Sequence, residues 1–208
     1  MKIKFCGAAQ EVTGSAHLLE LDSGFKILLD CGLFQGNSQK MAKLNEQWLF
    51  EPSEIDCVVL SHAHIDHSGR LPKLVHNGFR GNIYSTHATR SLCAIMLLDS
   101  AKIQERDAEY YNKRLEKKHA GKGLKSGQQK VPLYTTADVE PTMAEFVTYG
   151  YNKWFNIHED VEVLFKDAGH ILGSASVTLR IKEKGRTIKL GFTGDVGRPL
   201  RPILRDPQ

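Results

Sequence analysis

The amino-acid sequence predicts a layered α/β protein in which two β-sheets pack together beneath outer helices. Three observations predict this fold class. Roughly the first sixty residues have the pattern of short strands, the middle of the chain has the pattern of helices, and roughly the last fifty residues return to alternating apolar strands. A chain of 208 residues can also bury a substantial core as one domain.

The N-terminal part begins with a predicted hairpin. Residues 17–21 and 25–29 are short apolar segments, and Asp22-Ser23-Gly24 between them is a turn signal. Residues 38–50 have helical character. The continuous apolar run at 57–60 then indicates a strand that is buried on both faces.

The remaining elements follow the same reasoning. Helices are expected at 70–75, 89–118 and 136–147, with a strand at 82–86 between the first two. Alternating apolar residues then predict three strands, at 161–166, 177–181 and 187–192.

The composition excludes several classes of protein. Lys and Arg number 28 against 24 Asp and Glu, so the net charge of +4 permits a polyanionic partner without demanding one. No apolar run is long enough for a membrane span, and the N-terminus lacks a signal-peptide core. We therefore expect a cytoplasmic protein with no membrane partner. Four separated cysteines without a CxxC pair exclude a disulfide scaffold and a zinc ribbon.

The strongest chemical signal is the cluster His62, His64, Asp66 and His67, directly after the buried strand at 57–60. Residues 62 and 64 can face one point, while Asp66 and His67 can face a second. Imidazole and carboxylate suit zinc, with iron and manganese as competitors. One histidine alone would favour a solvated loop, but four ligands in six residues favour two metal ions.

Two further candidate ligands, His170 and Asp195, follow predicted strands. Glycine precedes each of them, so the backbone can approach a crowded centre closely. An aspartate there can bridge two cations with its two oxygens. Alone, either residue could equally belong to a turn, but the upstream cluster favours metal binding for both.

Asp30 is a candidate for orienting a metal-bound imidazole, because ligating histidines usually donate their second N–H to a carboxylate or carbonyl. On the residues alone, a turn-forming aspartate is an equal interpretation. Neighbouring Cys31 is better explained as a small buried residue. The other histidines lack ligand spacing and are expected in the core or at the surface; they are His17, His76, His87, His119 and His158.

These motifs, in this order, resemble the metallo-β-lactamase superfamily. They are LLDCG around Asp30, SHAHIDHSG around His62 to His67, DAGHILGSA around His170 and FTGDVGR around Asp195. The opening FCGAAQEVTGSAHLLEL, the helix ATRSLCAIMLLDSAKIQERDAEYYNKR, PLYTTADVEPTMAEF and AGHILGSASVTLRI resemble its β-CASP branch of RNA-processing nucleases.

The resemblance implies a four-layer αββα sandwich with a dinuclear zinc site at one edge. By the family pattern, His62, His64 and His170 hold one zinc, Asp66 and His67 hold the other, and Asp195 bridges both. We further expect residues 1–208 to form the N-terminal portion of such a domain. The β-CASP cap and the C-terminal return segment would then be absent, and the second zinc under-coordinated.

The implied activity is hydrolysis of RNA phosphodiester bonds, endo- or exonucleolytic, with two metal ions that clamp the phosphate and activate water. We assign catalytic roles to Asp66, as a proton acceptor besides its ligand role, and to Asp30, through the imidazole that it orients. Two alternatives are a metallohydrolase of the same fold acting on a thioester or lactone, and an inactive RNA-binding or scaffold relative.

RNA is the partner that this activity implies, and a homo-oligomer is also compatible with the sequence. The basic run from Lys113 to Lys130 contains seven Lys or Arg and one Glu. It could contact a phosphate backbone, but a solvated loop is the favoured interpretation.

Overall fold

Two β-sheets form the centre of the molecule. The computed structural model describes residues 1–36, 38–118 and 129–208. The larger sheet has six strands in the order β1-β2-β3-β4-β5-β6. These are β1 (Lys2–Phe5), β2 (His17–Glu20), β3 (Lys26–Leu29), β4 (Cys57–Val59), β5 (Asn82–Ser85) and β6 (Phe146–Thr148). The strands from β1 to β3 pair antiparallel, and those from β3 to β6 pair parallel.

The smaller sheet has four antiparallel strands in the order β10-β9-β8-β7. They are β7 (Trp154–His158), β8 (Val161–Asp167), β9 (Ala175–Glu183) and β10 (Arg186–Phe192). Burial alternates along β8 and β9, so one face of this sheet is apolar and the other is polar.

The apolar faces of the two sheets pack against each other. Side chains from both sheets form one buried cluster that includes Leu19, Ile27, Leu29, Val59, Val163, Phe165, Val177 and Leu179. A second cluster lies on the other side of the six-stranded sheet, where helices cover it. The sheets therefore stack as the two inner layers of a sandwich.

Five α-helices are present in the described residues. They are α1 (Gln39–Glu46), α2 (Ile65–Ser68), α3 (Leu71–His76), α4 (His87–Lys118) and α5 (Val139–Ala144). In the described part of the chain, buried helical residues such as Leu74, Leu97 and Val139 belong to the cluster outside the six-stranded sheet, and no helical residue belongs to the cluster between the sheets. The structure confirms the predicted sandwich, and the described residues form three of its four layers. No helix among the described residues combines the length and apolar character needed to cross a lipid bilayer.

Most predicted elements occur near their predicted positions, but the helix predicted at 136–147 is wrong at its end. A 3₁₀ turn at Thr136–Asp138 leads into α5, and the next residues form β6. Phe146 pairs with Ile83 of β5, and this pairing overrides the local helical pattern. The strands β1 and β7 were not predicted individually.

A buried arginine ties α1 to the turn that follows β3. The Arg70 side chain is almost completely buried and donates hydrogen bonds to the carbonyl oxygens of Gly32, Leu44 and Gln47. Its guanidinium also lies 4.7 Å from the ring centroid of Trp48. The guanidinium thus links the C-terminal end of α1 to Gly32, which lies two residues after Asp30, and holds this turn in place.

Candidate metal centre

Three histidine nitrogens and one aspartate oxygen converge at one edge of the sandwich. His64 Nδ1 lies 3.1 Å from His62 Nε2 and 3.1 Å from His170 Nε2. Asp195 Oδ2 lies 3.4 Å from His170 Nε2 and 3.9 Å from His62 Nε2. The four ligand atoms all lie within 4.8 Å of one another. Residues more than a hundred positions apart thus form one compact donor set.

The other oxygen of Asp195 faces a second group of side chains. Asp195 Oδ1 lies 3.3 Å from His67 Nε2. His67 Nε2 lies 3.8 Å from Asp66 Oδ2. The two oxygens of a single carboxylate therefore face two separate sets of ligand atoms, and the structure brings all six predicted ligands to one place.

The carboxyl ends of strands from both sheets create this convergence. His62 follows β4, while His170 and Asp195 follow β8 and β10. These last two strands run in the same direction because each is antiparallel to β9. A backbone hydrogen bond of 2.9 Å from Ala175 N to the Ser61 carbonyl oxygen links the two sheets at this edge.

Glycines permit the close approach that the site requires. Gly194 has a φ of +54°, and a Cβ atom there would lie 2.7 Å from the Cβ of Ser61. Gly169 has a φ of +63°, and its Cβ would lie 2.7 Å from the Arg205 carbonyl oxygen. Both positions favour glycine for conformational and steric reasons, as the sequence predicted.

Asp30 organises the histidine that faces Asp195. Its carboxylate is completely buried and accepts hydrogen bonds from Ser15 Oγ (3.1 Å), Ser61 N (2.8 Å) and Ser61 Oγ (3.0 Å). It lies 2.6 Å from His67 Nδ1. A proton on Nδ1 satisfies this contact, so the Nε2 lone pair is left facing Asp195. The geometry matches the orienting role predicted for Asp30.

The electrostatic environment keeps two of the imidazoles neutral. Burial, together with the neighbouring histidines, lowers the pKa of His62 to about 2. Burial and the proximity of His170 also lower the pKa of His64. Burial opposes protonation of His67 as well, but the hydrogen bond and charge of Asp30 outweigh it and raise the pKa of His67. Neutral imidazole is the form that binds metal.

These shifts predict how pH affects the stability of the metal-free protein. An unfolded histidine titrates near 6.5, whereas His62 in the folded protein stays neutral down to about pH 2. The unfolded state therefore binds more protons below about pH 6.5, so the free energy of unfolding should fall as the pH is lowered from 7 to 4. Urea unfolding in the presence of a chelator would measure this decrease.

The variant His62→Gln isolates the contribution of this histidine, because it has no imidazole to protonate. Its free energy of unfolding should decrease less between pH 7 and pH 4 than that of the wild type. His67 acts in the opposite direction. Its contribution is present below about pH 6.5 and is lost as the pH rises through its raised folded pKa. Equal pH dependence in the variant and the wild type would contradict the prediction.

The donor set fits divalent transition metals. Three imidazole nitrogens with one carboxylate oxygen suit zinc, as does a histidine with two carboxylates. Asp195 is partly exposed, with 45% of its side chain accessible, and His170 is 27% accessible. Ligands on one side and solvent access on the other are what a catalytic metal site needs, because it must keep a position open.

The residues that position His170 were not predicted from the sequence. The hydroxyls of Thr86 and Thr89 donate to the Gly173 carbonyl oxygen at 2.7 and 2.8 Å. Ser174 Oγ accepts a hydrogen bond of 3.1 Å from the backbone N–H of His170. Thr86 at the start of α4 has the pattern of a helix cap. Its contact across 87 positions of sequence has no local signal.

Ser15 and Ser61, the partners of Asp30, were also missed. Ser61 is a buried polar residue at the end of a wholly apolar strand. A polar side chain at such a position needs a buried partner, so this was a signal that sequence analysis could have used. Nothing in the sequence around Ser15 indicates that it contacts Asp30.

The remaining candidates lie away from these ligands. Cys31 is fully buried in the core, as predicted, and burial raises the pKa of its thiol to about 12. His76 forms an exposed pair with Asp138, and His158 packs against Phe25. The half-buried His17 lies between Phe5 and Phe192. His87 begins α4, and His119 lies outside the described residues.

The basic run is only partly described. Lys113 to Lys118 form the end of α4 and are largely exposed, whereas residues 119–128 lie outside the described residues. The helix α4 has 32 residues and begins beside the loop that carries His170. At about 1.5 Å per residue, its basic end lies roughly 40 Å from that loop.

A β-sandwich with helices outside it and a histidine–aspartate cluster at the carboxyl ends of its strands defines a metallo-β-lactamase type of domain. The family model described as the metallo-β-lactamase superfamily domain matches residues 18–188. The chain belongs to this superfamily and, within it, to the β-CASP branch.

Three curated relatives illustrate this membership. The chain is 38% identical to Ribonuclease TTHA0252 of Thermus thermophilus, covering 100% of the chain and 40% of that protein. It is 35% identical to Cleavage and polyadenylation specificity factor 73 of Drosophila melanogaster, covering 95% of the chain and 25% of the relative. The chain is 29% identical to Transcription termination factor FttA of Methanosarcina mazei, covering 94% of the chain and 27% of the relative. The chain thus spans 40% or less of each relative's length.

A solved structure supports the fold independently. A metallo-β-lactamase with a HARLDQ motif from Cronobacter sakazakii matches 96% of the chain and 58% of its own length. The TM-score is 0.50 and the sequence identity is 16%. At this identity the similarity shows the fold alone.

Proposed function

We propose that this chain is the metal-binding hydrolase domain of an RNA-processing nuclease and that it cleaves RNA phosphodiester bonds with two zinc ions. Relatives of 38% and 35% identity are named a ribonuclease and a cleavage and polyadenylation specificity factor, and these names support the proposal. The donor set supports it independently, because paired divalent metals are widely used for phosphodiester hydrolysis.

The observation that carries the proposal is the position of Asp195 between two sets of ligands. His62, His64 and His170 would hold one metal with Asp195 Oδ2. Asp66 and His67 would hold the other with Asp195 Oδ1. Distances of 3.4 Å from Oδ2 to His170 Nε2 and 3.3 Å from Oδ1 to His67 Nε2 support a bridging role for this carboxylate.

When bound, divalent metals supply Lewis acidity, which lowers the pKa of water and offsets charge on phosphoryl oxygens. The chain's own residues prepare this chemistry. Asp30 holds His67 in one orientation through the 2.6 Å contact. Asp66, 20% exposed, can accept a proton at a carboxylate oxygen besides serving as a ligand. The accessible side of Asp195 leaves room for a polymeric substrate.

The test combines metal analysis with an RNA assay on the purified chain. We expect about two zinc ions per chain, and metal-dependent cleavage of a short labelled RNA. Addition of a chelator should stop cleavage, and restoration of zinc should return it. Products should be resolved on a denaturing gel, which also distinguishes endonucleolytic from exonucleolytic cleavage.

A thioester and a lactone assayed in parallel separate the proposal from its alternatives. Two bound zinc ions with thioester hydrolysis but intact RNA would replace the nuclease with a small-molecule hydrolase. RNA binding without metal and without any hydrolysis would indicate a scaffold protein. The convergence of ligand atoms within 4.8 Å argues against this last alternative, because a scaffold has no need of such a donor set.

A further inference from the structure

A cleft beside the candidate metal centre contains two arginines. It has a volume of about 580 Å³, and its lining includes His170, Arg198 and Arg201. His170 belongs both to the group of candidate ligands and to the lining of the cleft, so the cleft adjoins the candidate metal centre. Any substrate long enough to extend past His170 on this side meets the two guanidinium groups.

Among the described residues, neither arginine has a partner. Neither side chain makes an ion pair or hydrogen bond with any residue in the described ranges, and both are exposed. The segment 196–205 contains three arginines and no acidic residue. By contrast, the half-buried Arg180 is paired with Glu162 at 2.7 Å. The cleft therefore presents free positive charge.

Packing holds this segment against the loop that carries His170. Gly197 N donates a hydrogen bond of 2.8 Å to the Ala168 carbonyl oxygen. A Cβ atom on Gly197 would lie 1.7 Å from the Gly169 carbonyl oxygen, so the two backbones are in direct contact. Arg198 follows immediately and is held beside His170.

The charge of the cleft favours a polyanion. The residues that line the cleft include the two cations Arg198 and Arg201 and no acidic side chain. Guanidinium groups bind phosphate oxygens through paired hydrogen bonds. The basic end of α4, roughly 40 Å from the His170 loop by helix length, cannot contact the same phosphate.

We propose that Arg198 and Arg201 form a phosphate subsite that holds the backbone of a single-stranded nucleic acid next to the bond being cleaved. The inference rests on the proposed function and specifies how its substrate is held. Phosphate contacts position a strand without reading its bases, so the subsite is independent of sequence. It also favours a polynucleotide over a small uncharged ester.

The test measures binding of a fluorescent single-stranded oligouridine to the full chain in the presence of a chelator, so that no cleavage occurs. The double variant Arg198→Gln/Arg201→Gln should raise the dissociation constant roughly tenfold. The slope of log K against log salt between about 50 and 200 mM should fall by about 1.4, since each single-strand phosphate contact contributes about 0.7.

The matched control is Lys182→Gln/Arg186→Gln, which removes the same charge from the β9–β10 hairpin, at the opposite end of β10 from Asp195. This control should leave the affinity and the salt slope close to wild-type values. Unchanged binding in the arginine variant would overturn the subsite, and so would an equal loss in the control.

The binding and cleavage measurements give different results when the nuclease proposal fails and when the subsite proposal fails. If the wild type binds the oligouridine through these arginines but leaves it intact with zinc, the nuclease assignment fails, and the arginines are a nucleic-acid-binding site that does not serve cleavage. If the arginine variant cleaves RNA with an unchanged KM, the subsite is wrong and the nuclease assignment stands. The chelated binding measurement and the zinc assay therefore test the two proposals separately.

Discussion

Replacement of Asp195 by asparagine should remove at least one of the two metal ions that we propose and reduce the proposed RNA hydrolysis by at least about a hundredfold. The two carboxylate oxygens of Asp195 face different ligand sets, at 3.4 Å from His170 Nε2 and 3.3 Å from His67 Nε2. Asparagine keeps one oxygen and replaces the other with an NH₂ group, which cannot bind a cation. Zinc content after dialysis and the rate of RNA cleavage measure the effect.

Asp160→Asn is the matched control for this substitution. Asp160 directly precedes β8, at the opposite end of that strand from Asp167 and the His170 loop. The same chemical change there should leave both zinc ions and the rate unaltered. Retention of two zinc ions and full activity in Asp195→Asn would show that this carboxylate does not bridge the metals.

Replacement of Asp30 by alanine should reduce both stability and metal affinity. The buried carboxylate has four hydrogen-bond contacts, and its removal leaves the Ser61 N–H and the His67 Nδ1–H without their acceptor. Each buried donor that is left without its acceptor costs about 1–3 kcal/mol of unfolding free energy. Zinc affinity should fall about 10–100-fold because His67 is no longer oriented. Urea unfolding and titration against a competing chelator measure the two effects.

Ser15→Ala provides a graded comparison, because it removes only one of the hydrogen bonds to Asp30. It should cost about 1 kcal/mol of unfolding free energy and leave zinc affinity near the wild-type value. If Asp30→Ala binds zinc as tightly as Ser15→Ala does, Asp30 has no orienting role. Its burial would then reflect the packing of the turn alone.

The convergence of the candidate metal ligands was predictable because they occur in short motifs beside strong local signals. Three histidines and an aspartate follow a wholly apolar strand, and glycines precede His170 and Asp195. The residues that support the ligands were less predictable. Ser15 and Thr86 act through hydrogen bonds to partners that are distant in the sequence, and no local pattern records those partners.

The secondary structure likewise divides into elements with a local sequence signal and elements that depend on partners distant in the sequence. The strands β8, β9 and β10 were visible as alternating apolar residues; β8 and β9 bury one face, and β10 partly buries one. By contrast, Phe146 and Val147 lie within the predicted helix, yet they form part of β6 because the edge of β5 offers them backbone partners. The strand β1 has no buried residue of its own, so it lacks the alternation that sequence analysis depends on.

The sequence by itself determined which side chains can bind metal, and that their loops leave the ends of strands. Local spacing and composition are sufficient for both conclusions. Only the tertiary structure decided that the two oxygens of Asp195 face separate ligand sets, that Asp30 contacts His67, and that free arginines line a cleft beside His170. These relations depend on how two sheets pack, and packing brings together residues whose sequence separation carries no geometric information.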